Sequence, residues 1–123
     1  MLYTLENEKF KIIANNHGAE LSSISSKEDG TEYLWNGNKK YWGYHSPVLF
    51  PIVGKVKGGI YRVDGKEYNL PQHGLARLKE FEMIKKTDDN IVFELVDSEE
   101  TLKVYPYKFS LKISYTLLED GVI

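Results

Sequence analysis

Lys55, His73 and Arg77 are the side chains whose neighbours best suit them to chemistry. His73 stands in Leu70-Pro71-Gln72-His73-Gly74-Leu75-Ala76-Arg77. The proline fixes the approach and the glycine permits close backbone contact, so the imidazole falls at a strand end on irregular backbone. Loops held on a rigid sheet are where binding groups concentrate. An imidazole can donate to, or accept from, a hydroxyl at neutral pH, and Arg77 follows at short range. A lone histidine is commonly structural; these flanks argue for a functional one. Lys55 follows Phe50-Pro51-Ile52-Val53-Gly54, a corner that points toward the same region.

Other chemistries find less support. His17, His45 and His73 are separated by long gaps, with no partner at ligand spacing, and the chain has no cysteine. Neither a metal site nor a disulfide is expected. Gly54 to Gly59 is glycine-rich with two lysines but lacks the Gly-Lys-Ser/Thr ending of a phosphate loop and opens no helix. Lys57 there reads as a solvated turn residue. No Gly-x-Ser-x-Gly occurs. The carboxylates nearest His73 in sequence, Glu67 and Glu80, fall in strand-like segments facing solvent, so an acid–base enzyme would lack an obvious second catalytic group. Trp35, Trp42 and Tyr44 offer an alternative: ring faces on which a pyranose could stack.

At 123 residues the chain is one domain or a piece of one. Its net charge of −2 and pI near 5.9 give no basic surplus, which argues against nucleic acid. Lysines alternate with Glu and Asp as on an ordinary solvated surface. The first residues, MLYTLENEKFKII, are neither a signal peptide nor a membrane span, so no membrane partner and a cytoplasmic location are expected.

The elements that must hold these groups are strands. Alternation predicts them at Tyr3 to Asn7, Lys9 to Ala14 and 19–25, the last with Glu20 and Ser22 on the polar phase and a bulge where Ile24 breaks step. A short aromatic strand is expected at Glu32 to Trp35, and irregular chain from Lys39 to His45. A hairpin from Ile60 to Leu70 should fold at Asp64-Gly65. Further strands are expected at Lys79 to Lys85 and Ile91 to Val96, then a short helix capped by Ser98 that ends before Tyr105-Pro106. Lys108 to Leu117 alternates most cleanly, with Phe109, Leu111, Ile113, Tyr115 and Leu117 on one face. Glu119-Asp120-Gly121 is a hairpin turn followed only by Val122 and Ile123. A portion of a longer protein is therefore expected, with unpaired strand edges through which copies could self-associate.

LFPIVGKVKGGIYRVDGKEYNLPQHGLAR, residues 49–77, resembles the aldose 1-epimerase (galactose mutarotase-like) family, in its bacterial LacX-type branch. Asn16-His17-Gly18-Ala19-Glu20-Leu21, Trp35, the Pro47 to Pro51 segment and Tyr105-Pro106-Tyr107-Lys108-Phe109 extend the resemblance along nearly the whole chain. It implies an all-β fold, an antiparallel β-supersandwich, with residues 1–123 as the N-terminal portion of a single β-sandwich domain. It also implies a small-molecule sugar partner, an aldohexose, and no cofactor. Anomers would be interconverted by acid–base ring opening and closure. His73 matches the histidine that acts at the sugar ring oxygen. Lys55 stands where the family usually has an arginine, and Arg77 closes the His-Gly-Phe-Ala-Arg signature, with Leu75 in place of its phenylalanine. The resemblance places the second histidine and the carboxylate base downstream, so this chain would hold part of a site and be inactive alone. A carbohydrate-binding sandwich without turnover, and a hexose-phosphate epimerase relative, are the alternatives.

Overall fold

The computed structural model describes residues 1–122; Ile123, the end of the expected return strand, lies outside the described residues. The first sheet has the order β1 (Leu2–Glu6), β2 (Phe10–Asn15), β3 (Glu20–Ser26), all antiparallel. Leu5, Ile12, Ala14 and Leu21 turn inward and are buried. Ile13 pairs with Ser23 but Ala14 with Leu21, which leaves Ser22 as an extra residue. That bulge lets Leu21 and Ile24, three apart, face the same side as their partners Ala14 and Ile12. It is the expected break of step.

The second sheet has the order β6 (Glu82–Lys86), β7 (Asn90–Val96), β8 (Ser110–Leu118), β9 (Gly121–Val122), again antiparallel. On β8 the residues Leu111, Ile113, Tyr115 and Leu117 turn toward the core and Ser110, Lys112 and Ser114 toward solvent. The chain turns between β8 and β9 at Glu119-Asp120, as its composition requires. Between β7 and β8 sits α1 (Glu99–Leu102). The Ser98 hydroxyl accepts from the Thr101 amide at 3.2 Å, and the Thr101 hydroxyl accepts from the Ser98 amide at 2.8 Å. This reciprocal cap satisfies two amides that a helix start leaves open.

The sheets face each other across one core. The ring of Tyr3 meets Phe93 edge-on at 5.5 Å, and Phe93 is fully buried. The Phe81 amide donates to the Asn16 carbonyl at 2.9 Å and the Gly18 amide to that of Lys79 at 2.7 Å, joining the start of one sheet to the approach of the other. β4 (Ile60–Val63) and β5 (Lys66–Asn69) form a separate hairpin whose turn residues, Asp64 and Gly65, have φ of 49° and 78°, the left-handed pair of a type I′ turn. Tyr61 pairs with Tyr68 across it, and the Tyr61 hydroxyl donates to the Val104 carbonyl at 2.6 Å. No helix among the described residues is long and apolar enough to cross a membrane.

The expected strand at Glu32 to Trp35 does not form; only an isolated bridge joins Glu32 to Ser25. The Glu32 side chain is the reason. Its carboxylate accepts from the Ile24 amide at 2.9 Å, the Leu34 amide at 3.0 Å and the Ser23 hydroxyl at 2.5 Å. Amides that a ladder would use are thereby diverted to a side chain. Burial alone would raise the Glu32 pKa; these hydrogen bonds outweigh it and hold the carboxyl below its ordinary value.

Tyr115 gives the core a pH limit. Its hydroxyl donates to the Ala19 carbonyl at 2.7 Å. Burial first, and the nearby Glu20 charge second, push the phenol up to about 12. The folded value lies above that of the unfolded chain, so the stability tied to the neutral phenol is full below about pH 10 and lost as the pH rises toward 12. The loss is expected to be about 2–3 kcal/mol, at roughly 1.4 kcal/mol per pKa unit. Urea midpoints at pH 9 and pH 12, compared between wild type and Tyr115→Phe, test this. A variant whose midpoint falls as steeply as wild type would contradict it.

Candidate functional site

The corner at Phe50 and the loop at His73 are built against each other. A parallel bridge joins Phe50 to Gly74, and the Phe50 carbonyl accepts from the amides of Leu75 at 2.8 Å and Ala76 at 3.2 Å. The Phe50 ring packs against Tyr105 at 5.8 Å and Phe109 at 5.1 Å, so the Tyr105-Pro106-Tyr107-Lys108-Phe109 segment floors this corner. The Phe50–Pro51 peptide is cis. Gly74 has φ of 76°, and a Cβ there would lie 2.1 Å from the Phe50 carbonyl oxygen. Only glycine allows the two backbones to meet.

His73 is half-buried with φ of 67°. Its amide donates to the Gly54 carbonyl at 2.7 Å, and the Gly54 amide donates to His73 Nδ1 at 2.9 Å. An amide can only donate, so Nδ1 is the acceptor. In the neutral ring the proton therefore sits on Nε2, which becomes a donor of fixed direction. Sequence neighbours identified His73; the lock on its tautomer comes from a residue in another loop.

Arg77 lies in a short 3-10 turn, Ala76–Leu78. Its Nη2 donates to the Gln72 carbonyl at 3.1 Å, and its guanidinium lies 4.7 Å from the centre of the Tyr44 ring, a cation–π contact. Its Nε is buried without a hydrogen-bond partner among the described residues. Lys55 is exposed and makes no side-chain hydrogen bond or ion pair among the described residues. The fold thus joins His73 to Gly54, the residue before Lys55, and Arg77 to Gln72, the residue before His73. Among the described residues no side-chain hydrogen bond or ion pair links Lys55 to the other two.

Tyr44 was singled out with Trp35 and Trp42 as a ring face; its pairing with Arg77 has no local sequence signal. Trp42 stands 5.9 Å from Tyr44, and the Trp35 indole N–H donates to the Trp42 carbonyl at 2.8 Å. Trp35 is 42% and Trp42 47% exposed, leaving ring surface open to solvent. Glu67 pairs with Arg62, and Glu80 with His17 at 2.6 Å, so the carboxylates nearest His73 in sequence have other partners. A surface cleft of about 430 Å³, lined by Asn7, Glu8, Lys9 and Glu119, includes none of these site residues.

A model of the aldose 1-epimerase family matches residues 1–123. Protein LacX of Lactococcus lactis subsp. lactis, chromosomal form, is 34% identical over 122 residues, covering 95% of this chain and 40% of that protein. Among solved structures, a galactose mutarotase related enzyme from Lactobacillus acidophilus superposes with a TM-score of 0.97 at 45% identity, over 99% of this chain and 41% of its own. A galactose mutarotase-like protein from Lactobacillus casei gives 0.96 at 39% identity, over 99% and 42%. The architecture is the antiparallel β-supersandwich of these proteins. The chain spans about 40% of the length of the curated relatives it matches.

Proposed function

The chain belongs to the aldose 1-epimerase family, and on that premise we propose that it forms the donor side of a sugar site in a protein that interconverts the α and β anomers of an aldose. The observation that supports this most directly is the Gly54 amide on His73 Nδ1, which leaves Nε2–H as an aimed donor. In this reading a base takes the proton of the C1 hydroxyl, the bond from C1 to the ring oxygen breaks, and a general acid, the second histidine that the resemblance places downstream, gives the ring oxygen a proton while the His73 Nε2–H hydrogen-bonds to it. The open aldehyde turns about the bond to C2 and closes on its other face. His73 is the catalytic residue that meets the ring oxygen. Lys55 and Arg77 bind hydroxyls. Lys55 brings three donors on a flexible stem, without the planar fork of an arginine. Arg77 has one amino group committed to Gln72 and offers the other.

Both an acid and a base must lie within hydrogen-bond reach of the sugar. No carboxylate among the described residues bonds to His73. We place the carboxylate base and the second histidine, the general acid, in a part of the relatives' length that this chain does not match, so this chain alone should bind without turnover.

The test is anomer exchange by NMR with a panel of aldohexoses and their 6-phosphates, on this chain and on His73→Ala. The expected result is exchange at the spontaneous rate, with sugar-dependent shifts around Gly54 and His73 that the variant loses. Accelerated exchange that the variant abolishes would mean the site is complete here. The exposed faces of Trp35 and Trp42 favour a second reading, sugar binding without catalysis, in which Trp42→Ala removes the shifts and His73→Ala does not.

A further inference from the structure

We infer that Glu20 is a positioning residue that holds the Tyr44 ring against Arg77 by gripping the main chain that follows it. Alternation along β3 sends Glu20 to the polar side, yet it is only 9% exposed. A buried carboxylate is costly unless donors meet it. Here one oxygen, Oε1, accepts from two successive amides, His45 and, at 2.9 Å, Ser46. The Ser46 hydroxyl adds a bond to the Leu21 carbonyl at 2.6 Å, and the His45 imidazole Nδ1 lies 3.6 Å from the same carboxylate oxygen. Successive amides converging on an anion fix a backbone that no ladder holds.

That backbone has no ladder. Residues 36–49 form neither helix nor strand. Tyr44 makes no hydrogen bond of its own among the described residues; beside the ring contacts with Trp42 and Arg77, the grip on its neighbour His45 is what holds its main chain. Arg77 in turn has two side-chain contacts there, the Tyr44 face and the Gln72 carbonyl that precedes His73. A line of contacts thus runs from the edge of the first sheet to the histidine loop. Glu20 stands at its sheet end and has no hydrogen bond or ion pair with Arg77 or His73. The effect on a ligand rests on the sugar reading above; the placement of Tyr44 does not.

The experiment compares this chain with Glu20→Met and Glu20→Gln by NMR. Methionine keeps the length but has no oxygen; glutamine keeps an oxygen with two lone pairs. The Tyr44 ring current shifts the Arg77 side-chain protons upfield. This shift is expected to vanish in Glu20→Met and to persist in Glu20→Gln, while the Tyr3–Phe93 contact reports an intact core. Titration with galactose is expected to give about tenfold weaker binding for Glu20→Met and near wild-type binding for Glu20→Gln, a difference near one logarithmic unit in Kd. An unchanged Arg77 shift in Glu20→Met, or equal damage in both variants, overturns the inference. Should the Met variant lose the Tyr3–Phe93 contact, Glu20→Asp decides: a carboxylate drawn back by one methylene must diminish the shift, and a full shift refutes the role. Wild type that shows no response to galactose would sink the sugar reading and leave the Arg77 shift to judge Glu20.

Discussion

Gly74→Ala is expected to destabilise the chain by about 3–5 kcal/mol, in the range reserved for mutations with a specific steric cause. An added Cβ would stand 2.1 Å from the Phe50 carbonyl oxygen, 2.4 Å from its carbon and 2.7 Å from Pro51 Cδ. Those are backbone and ring atoms that cannot rotate aside, so the bridge between Phe50 and Gly74 has to open. With it go the two amides that converge on the Phe50 carbonyl and the approach of His73 to Gly54. Gly54→Ala is the control. Gly54 has φ of 83°, similarly left-handed, but nothing lies within 4 Å of its Cβ position. Its cost is expected to be only the backbone term, about 1–2 kcal/mol. Urea unfolding of both variants, with the Gly54 and His73 amide shifts as a local probe, measures the difference. Equal costs would show that conformation, not contact, makes Gly74 necessary.

Phe93→Ala is expected to cost a comparable amount, about 3–5 kcal/mol, by leaving a cavity between the sheets. The ring is fully buried on β7, pairs with Ile113 of β8, and meets Tyr3 of the first sheet edge-on. A loss of that size is a large part of the roughly 5–15 kcal/mol that holds a typical domain folded. The urea midpoint should fall steeply, and the loss should be felt in both sheets at once. A variant that loses protection of the β6–β9 amides but keeps that of β1–β3 would mean the sheets fold as independent units.

What could be read from the sequence was what short-range physics decides. The Asp64-Gly65 hairpin, the Ser98 cap and the alternation of β8 each depend on a few adjacent residues. The break of step at Ile24 signalled the bulge at Ser22. The failures have side chains in common. Glu32 looked like a strand residue, and its carboxylate instead took the amides that pairing needed. Glu20 fell on the polar phase of β3 and is buried, because the amides that solvate it belong to a segment far along the chain. At the site, sequence marked His73, Lys55 and Arg77. It could not mark the bond from Gly54 to Nδ1 or the Tyr44 face on Arg77, since both need the loops folded together.

The mutual bonds between Gly54 and His73 also bear on entropy. A free imidazole samples several rotamers and two tautomers, and a ligand that needs one of them must freeze the rest. Here the selection is made during folding: Nδ1 is engaged and the backbone on both sides is held. Any oxygen that arrives at Nε2 meets a preorganised donor, and binding there sheds little side-chain freedom. Stiffness in a two-loop contact thus becomes affinity, and variants that loosen the loops should weaken association without removing a single atom of the ring.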